Sequence, residues 1–330
     1  MTKLIDALKD TLGETAASSF EVTHFLDTGF APLNKAISGS YDRGFPVGRI
    51  VEMFGPPSCG KTAIATKAMI AAQLAGGFAT FHDHERSFDV NLAKHMGLDV
   101  DSGTFAHIKP ETLEESFTRA IKTASVIREK KLIDPAAPII AVFDSLAAML
   151  PKSKSEKELD ELTMADSLAL AKATSSVMPV VNHYADKYNV LMLILNQTRE
   201  NPGVSYGDPL RTPGGKAPGF YASVRISLRA SALRSAAPEK ERLGQRVTAE
   251  IIKTKLTRPF QKTEWDFLYE ESYGKFDVVG SLVDHLCEIE VLEKKGARIA
   301  YDGKSYFRSQ LIDALEKSGE LGKLNDLLPR

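Results

Sequence analysis

Cysteine is nearly absent: Cys59 and Cys287 are the only two in 330 residues. Two thiols cannot build a disulfide framework or a cysteine zinc site, and their scarcity suits a reducing compartment. Long apolar runs are missing as well. None reaches the roughly 18 residues that span a bilayer, and the opening "MTKLIDALKD" lacks the apolar centre of a signal peptide, so the sequence predicts a cytoplasmic protein with no membrane segment. Internal repeats and low-complexity tracts are lacking too, which excludes repeat arrays and linker-dominated chains. Net charge is close to zero at −1, with 43% hydrophobic and 26% charged residues, the profile of an ordinary globular protein. At about 150 residues per domain the length allows one large α/β domain and a smaller one.

The small net charge hides an uneven distribution. Arg211 to Lys262 holds twelve Lys and Arg against Glu239, Glu241 and Glu250, about +9, which leaves about −10 for the remainder. Such a stretch is either an anion or nucleic-acid surface or a solvated face of exposed strands.

Runs of four to seven apolar residues alternate with helical patterns. "RIVEMF" (49–54), "FATFH" (78–82), "TFAHI" (104–108), "PIIAVF" (138–143) and "VLMLIL" (190–195) are short and continuous, as strands buried on both faces should be. Between them, Leu113, Phe117, Ile121, Ala124 and Ile127 form a stripe at helical spacing, and residues 163–187 form a longer pattern interrupted by Pro179. This alternation predicts an α/β fold with a mainly parallel central sheet and right-handed crossovers. "YASVRISLRA" (221–230), "QRVTAEIIKTKL" (245–256) and "TEWDFLY" (263–269) follow without helices and predict antiparallel strands that extend the sheet. A boundary is expected near Tyr273 and Gly274, ahead of a small C-terminal α+β lobe.

The segment "RIVEMFGPPSCGKTAIATKAM" passes from strand to helix through Gly55, Pro56, Pro57, Ser58, Cys59, Gly60, Lys61 and Thr62, which satisfy G-x-x-x-x-G-K-[ST]. Backbone N–H groups of such a loop cradle phosphate oxygens, and the helix that follows adds the positive end of its dipole. Lys61 is placed to meet the β and γ phosphates and the Thr62 hydroxyl to ligate magnesium. Cys59 contributes backbone only. The site therefore takes a nucleoside triphosphate. Hydrolysis also needs a magnesium-positioning acid and a group that orients water. Asp144 ends the buried strand "IIAVFD", where ligands sit in open α/β sheets, and Glu85 in "FHDHERSFD" reaches the same sheet edge to polarise water. His82 and His84 alternate as a strand-borne metal pair would, without a third ligand.

"GPPSCGKT", "DHERSFD", "VFDSLAAMLPK", "LILNQTRENPGVSYGDPLRTPGGKAPGFYASVRISLR" and "IIKTKLTRPFQKTEWDFLY" together resemble, in order and spacing, the core motifs of the RecA family of strand-exchange recombinases, over roughly residues 28–300. The resemblance implies a RecA-like P-loop ATPase core (28–272), an N-terminal oligomerisation segment (1–27) and a small C-terminal domain (273–330). It implies ATP and Mg²⁺ as cofactors, with Lys61 and Thr62 on phosphate and magnesium, Glu85 as catalytic carboxylate and Asp144 as the Walker B acid. Gln197 matches the glutamine that senses the γ-phosphate. Residues 198–215 match the second DNA-binding loop, where Arg199 and Arg211 can meet phosphates and Tyr206 can contact bases. Residues 152–163 match the first such loop. Lys253 and Lys255 match a lysine pair that reaches ATP on the adjacent subunit, and Asp89 an acid near the adenine. The implied partners are single- and double-stranded DNA, other copies of the chain in a helical filament, and single-strand-binding or loader proteins.

Departures from the family pattern are specific. Leu92 stands in place of a base-stacking tyrosine, Gly219 in place of a lysine with Lys216 nearby, and "KSKSEKELDEL" carries three lysines against four acids. The chain ends "NDLLPR" without an acidic tail, as in a compact or bacteriophage-encoded form. A ring helicase or translocase with the same fold shares the ATP site, and a non-hydrolysing DNA-binding mediator remains a third reading that Glu85 argues against.

Overall fold

A computed structural model of the chain describes residues 21–158, 168–200, 210–235 and 240–329. Its centre is a nine-stranded sheet. In chain order the strands are β1 (Ile50–Gly55), β2 (Phe78–Asp83), β3 (Phe105–Ile108), β4 (Ile139–Asp144), β5 (Val190–Gln197), β6 (Val224–Arg234), β7 (Arg242–Thr254), β8 (Lys262–Tyr269) and β9 (Gly274–Phe276). Across the sheet they run β9-β8-β7-β6-β1-β5-β4-β2-β3.

Alternation within the strands explains why the sheet is covered on both sides. Leu191, Leu193 and Leu195 of β5 join one core with Ile64, Ala65, Ala68 and Met69 of helix α2, after α1 (Ala31–Ser38) in the chain and spanning Lys61–Leu74. Val190, Met192 and Ile194 point the other way, into a second core with α3 (Leu113–Glu129) and α4 (Ala169–Lys187). The face of α2 turned to the sheet includes Ile64, Ala65, Ala68, Met69 and Ala72. The stripe expected from Leu113 to Ile127 is buried except for the partly covered Ile121, and Pro179 lies inside α4.

β6, β7 and β8 run antiparallel to one another and extend the sheet, and β6 joins the parallel strands through a parallel pairing with β1. Between Gln197, level with Gly55, and Val224, level with Val51, the chain returns along the length of the sheet, and the short helix Ala217–Tyr221, packed on α4, is part of that return. The antiparallel β7 and β8 are anchored to the rest of the core by Trp265, whose ring stacks on Phe30 at 4.8 Å. The sheet continues past Gly274, since β9 pairs with β8 up to Phe276. Beyond it, α5 (Val278–Glu288), a three-stranded sheet (β10 Lys294–Lys295, β11 Arg298–Tyr301, β12 Lys304–Phe307) and α6 (Arg308–Ser318) enclose a core of their own around Val283, Leu286 and Leu311. Among the described residues no helix is long and apolar enough to cross a membrane.

Candidate nucleotide site and DNA-facing loops

Topology alone brings the predicted nucleotide residues to one edge. β1, β5, β4 and β2 are neighbours and parallel, so their C-terminal ends align: Gly55 is level with Gln197, and Asp83 with Asp144. Glu85 follows two residues after β2, and its backbone N–H donates to Asp144 O at 3.2 Å. Above this edge lies a cavity of about 370 Å³ lined by Pro57, Ser58, Gly60, Lys61, Thr62, Glu85, Asp144 and Gln197.

The phosphate loop has the backbone its role needs. Ser58 and Gly60 both adopt left-handed conformations, at φ 59° and 87°, which turns successive N–H groups to one side as in an anion nest. Gly55 is required for a different reason: a Cβ there would lie 2.3 Å from Leu228 O of β6. Lys61, 8% exposed, donates to Gly55 O at 3.0 Å and Pro56 O at 2.7 Å, so its charge is held within the loop. Cys59 is buried beside it, and burial pushes its thiol pKa up, which suits a packing role.

Thr62 Oγ1 donates to Asp144 Oδ2 at 2.7 Å. A hydroxyl and a carboxylate side by side are hard oxygen donors that fit Mg²⁺, an ion that completes its shell with phosphate and water rather than a protein cage. Among the described residues no cluster of three or more His, Cys, Asp or Glu could form such a cage. His82 is wholly buried between Thr80 and Ser116, at 3.2 Å from each hydroxyl, and burial lowers its pKa to about 3. It is a neutral core residue with its hydrogen bonds made.

Burial pushes the Asp144 carboxyl up to about 6; the Thr62 hydroxyl opposes the rise and nearby Glu85 adds to it. The folded chain thus keeps this proton where the unfolded chain has lost it, between about pH 4 and pH 6. Nucleotide-free stability is expected to fall as pH rises through that window, by up to roughly 3 kcal/mol. Thermal melts from pH 4 to 7 check this, and Asp144→Asn should remove the slope and melt above the parent at pH 7. A cation must displace the same proton, so magnesium-dependent nucleotide binding should weaken by up to about tenfold per pH unit below 6.

Glu85 Oε1 accepts from Gln197 Nε2 at 2.7 Å and from the Ser145 hydroxyl. Its loop is shaped by Asp83, a residue with no role in the sequence reading. That buried carboxylate accepts from the Ser87 and Phe88 N–H groups and contacts His107 Nε2 at 3.2 Å. Gln245, Val247, Phe267 and Phe276, from the antiparallel part of the sheet, close the cavity together with Leu92. For Gln245 and Val247 the signal was the period-two spacing of "QRV", which puts both on one face of β7; that this strand lies only one strand away from β1 is known from the sheet order alone.

Other predicted residues lie elsewhere. Asp89 does not line the cavity; its Oδ1 caps the helix Val90–His95, accepting from the Asn91 and Leu92 N–H groups at 2.9 Å each. Lys253 and Lys255 sit at the opposite end of the sheet. Thr254 is level with Val224, and Val224 with Val51 at the start of β1. Six residues separate Lys253 from the cavity-lining Val247, about 20 Å at 3.3 Å per residue. Neither lysine can reach the site of its own chain. Lys253 Nζ donates to Gly219 O at 2.8 Å and Phe220 O at 2.9 Å.

Of the expected DNA contacts, Tyr206 and residues 159–163 lie outside the described residues, as does most of the N-terminal segment. Arg199 and Arg211 face each other as backbone partners in a two-residue ribbon that joins the ends of the loop. Arg211 and Lys216 are exposed and, with Arg225 and Arg229, line a basic cleft of about 670 Å³. In the other loop, Lys152 lies 3.7 Å from Glu156, so part of its positive charge is neutralised locally.

Comparison with known proteins agrees with this architecture. The RecA N-terminal domain family matches residues 10–274. Protein RecA of Desulforapulum autotrophicum is 32% identical over 302 residues, covering 90% of this chain and 79% of that protein. Protein RecA of Chloroherpeton thalassium is 33% identical over 291 residues, 88% and 74% of the two chains. Protein RecA of Clostridioides difficile is 32% identical over 321 residues, 94% and 84%. A phosphate loop, two acids and a glutamine at one sheet edge, with this match over most of both lengths, lead to one conclusion: the chain belongs to the RecA family.

Proposed function

We propose that the chain is an ATP-dependent recombinase that polymerises on single-stranded DNA and pairs it with a homologous duplex. The observation that supports this best is the Gln197–Glu85 hydrogen bond of 2.7 Å, because it ties the water-orienting acid to the residue from which the loop 198–215 departs. A γ-phosphate bound against Lys61 would compete for the Gln197 amide. Gln197 would then release Glu85 to act on water while fixing the base of the loop, so nucleotide state and DNA grip would change together. Magnesium at Thr62 and Asp144 would supply neutralisation of phosphate charge. Lys253 and Lys255, remote from their own site, would complete that of the next subunit, which makes hydrolysis a property of the polymer. Parts of the chain divide accordingly into an oligomerisation segment (1–27), the ATPase core (28–272) and the C-terminal lobe (273–330), working in the cytoplasm where chromosomal or phage DNA is found.

Affinity for DNA should come from phosphate contacts and stacking with little sequence preference. In fluorescence anisotropy with a labelled oligonucleotide, Arg211→Ala is expected to reduce the salt dependence by about 0.7 in the log–log slope, one phosphate contact on a single strand. Gln197→Ala should bind DNA equally with and without an ATP analogue. If both variants keep the parent's affinity and nucleotide response, the loop is not the DNA contact. Electron microscopy on single-stranded DNA with a slowly hydrolysed ATP analogue tests assembly: helical filaments support the proposal, and closed rings support the helicase reading.

A further inference from the structure

Glu52 lies in the middle of β1 and is 0% exposed. A carboxylate taken out of water costs several kcal/mol unless it is paired and hydrogen-bonded. Here both oxygens are used. Oε2 accepts from Arg225 Nε of β6 at 2.6 Å, and Oε1 accepts from Asn196 Nδ2 of β5 at 3.0 Å. Each partner leads to a different functional element. Asn196 Nδ2 also donates to Pro213 O at 3.0 Å, at the far end of the loop 198–215, and Asn196 Oδ1 accepts from the Gln197 N–H at 3.0 Å. The Arg225 guanidinium lies over the Phe54 ring at 4.8 Å and against Gly219, where an added Cβ would come within 3.2–3.4 Å of it. The absence of a side chain at Gly219 therefore makes room for Arg225, and the carbonyls of Gly219 and Phe220 in turn seat Lys253.

We propose that Glu52 is a positioning residue that locks Asn196 to Arg225, so that the strand end bearing Gln197 and the Ala217–Tyr221 helix that seats Lys253 shift together. Nucleotide bound in one subunit would thereby set the position of the lysine offered to the next. Continuous networks of buried hydrogen bonds between rigid elements are the means by which such coupling travels. The proposal rests on the reading that Lys253 acts on a neighbour's nucleotide.

The test is hydrogen exchange of the Ala217–Tyr221 amides in the DNA-free full chain, with and without a slowly hydrolysed ATP analogue. In the parent the analogue is expected to change exchange there by about fivefold or more, the lower end of common coupling energies. In Glu52→Gln one contact survives and the other opposes two N–H donors. Its response should fall below about twofold while nucleotide affinity stays within about threefold of the parent, since Glu52 touches neither loop nor cavity. Should Glu52→Gln fail to fold in a thermal melt, Arg225→Lys carries the same comparison, because a lysine keeps the charge but cannot lie flat between Phe54 and Gly219. A role in stability alone would change basal exchange and leave the nucleotide response intact. The proposal is overturned if the parent shows no response, or if the folded variants respond as the parent does. Lys253→Ala separates the two readings: normal DNA-dependent turnover in that variant would remove the trans lysine while leaving the exchange result standing.

Discussion

Glu85→Gln is expected to lower DNA-dependent ATP turnover by about 10²–10⁴, the usual cost of losing a general base or water-orienting group, while nucleotide affinity stays near that of the parent. The substitution keeps the side-chain shape and an acceptor oxygen for Gln197 Nε2 and the Ser145 hydroxyl. What it removes is the negative charge that draws a proton from water. On the proposed reading, binding would depend on other groups, chiefly the loop N–H groups and Lys61. Lys61→Ala should therefore behave differently, weakening affinity and turnover together, because its ammonium meets phosphate before and during reaction. Steady-state hydrolysis and nucleotide titration on the two variants separate these roles. Parent-like turnover by Glu85→Gln on DNA would refute the catalytic assignment.

The double variant Lys253→Ala/Lys255→Ala is expected to bind nucleotide as a monomer yet lose about 10²–10³ in DNA-stimulated turnover. Charges supplied in trans to phosphoryl transfer are worth about 10³–10⁵ when they are arginines, and lysines lack the fork that adds to that figure. The location of both lysines at the far end of β7 from the cavity carries this expectation. It also yields a complementation test. In a head-to-tail polymer of the double variant mixed equally with Glu85→Gln, about a quarter of the junctions join an intact Glu85 to intact lysines. Such mixtures should regain activity that neither protein has alone. Mixed filaments that form and stay inactive would leave the lysines as residues of a solvated strand.

The parallel half of the fold was legible because its strands are short, mostly apolar runs and α3 carries a clear stripe. The phosphate loop, Asp144 and Glu85 were legible because local sequence motifs place them at strand ends. The antiparallel run of β6, β7 and β8 was legible as well, whereas its parallel junction with β1 was not, because that pairing depends on where the chain returns after β5 and no local pattern encodes it. Asp83, Asn196 and Arg225 gave little warning, since each is a polar residue whose importance comes from what lies across the sheet. Glu52 did give one: a lone acid within "RIVEMF" must find buried partners, and only the strand order reveals which. Asp89 shows the converse, a residue matched by motif whose carboxylate is engaged in capping its own helix.

The most direct measurement is strand exchange between single-stranded DNA and a homologous linear duplex, with ATP and Mg²⁺ present. Homology-dependent joint molecules and displaced strand should form with the parent protein, and should be absent with Lys61→Ala. DNA-dependent ATP hydrolysis without any exchanged strand would contradict the recombinase reading and leave a motor built on the same fold.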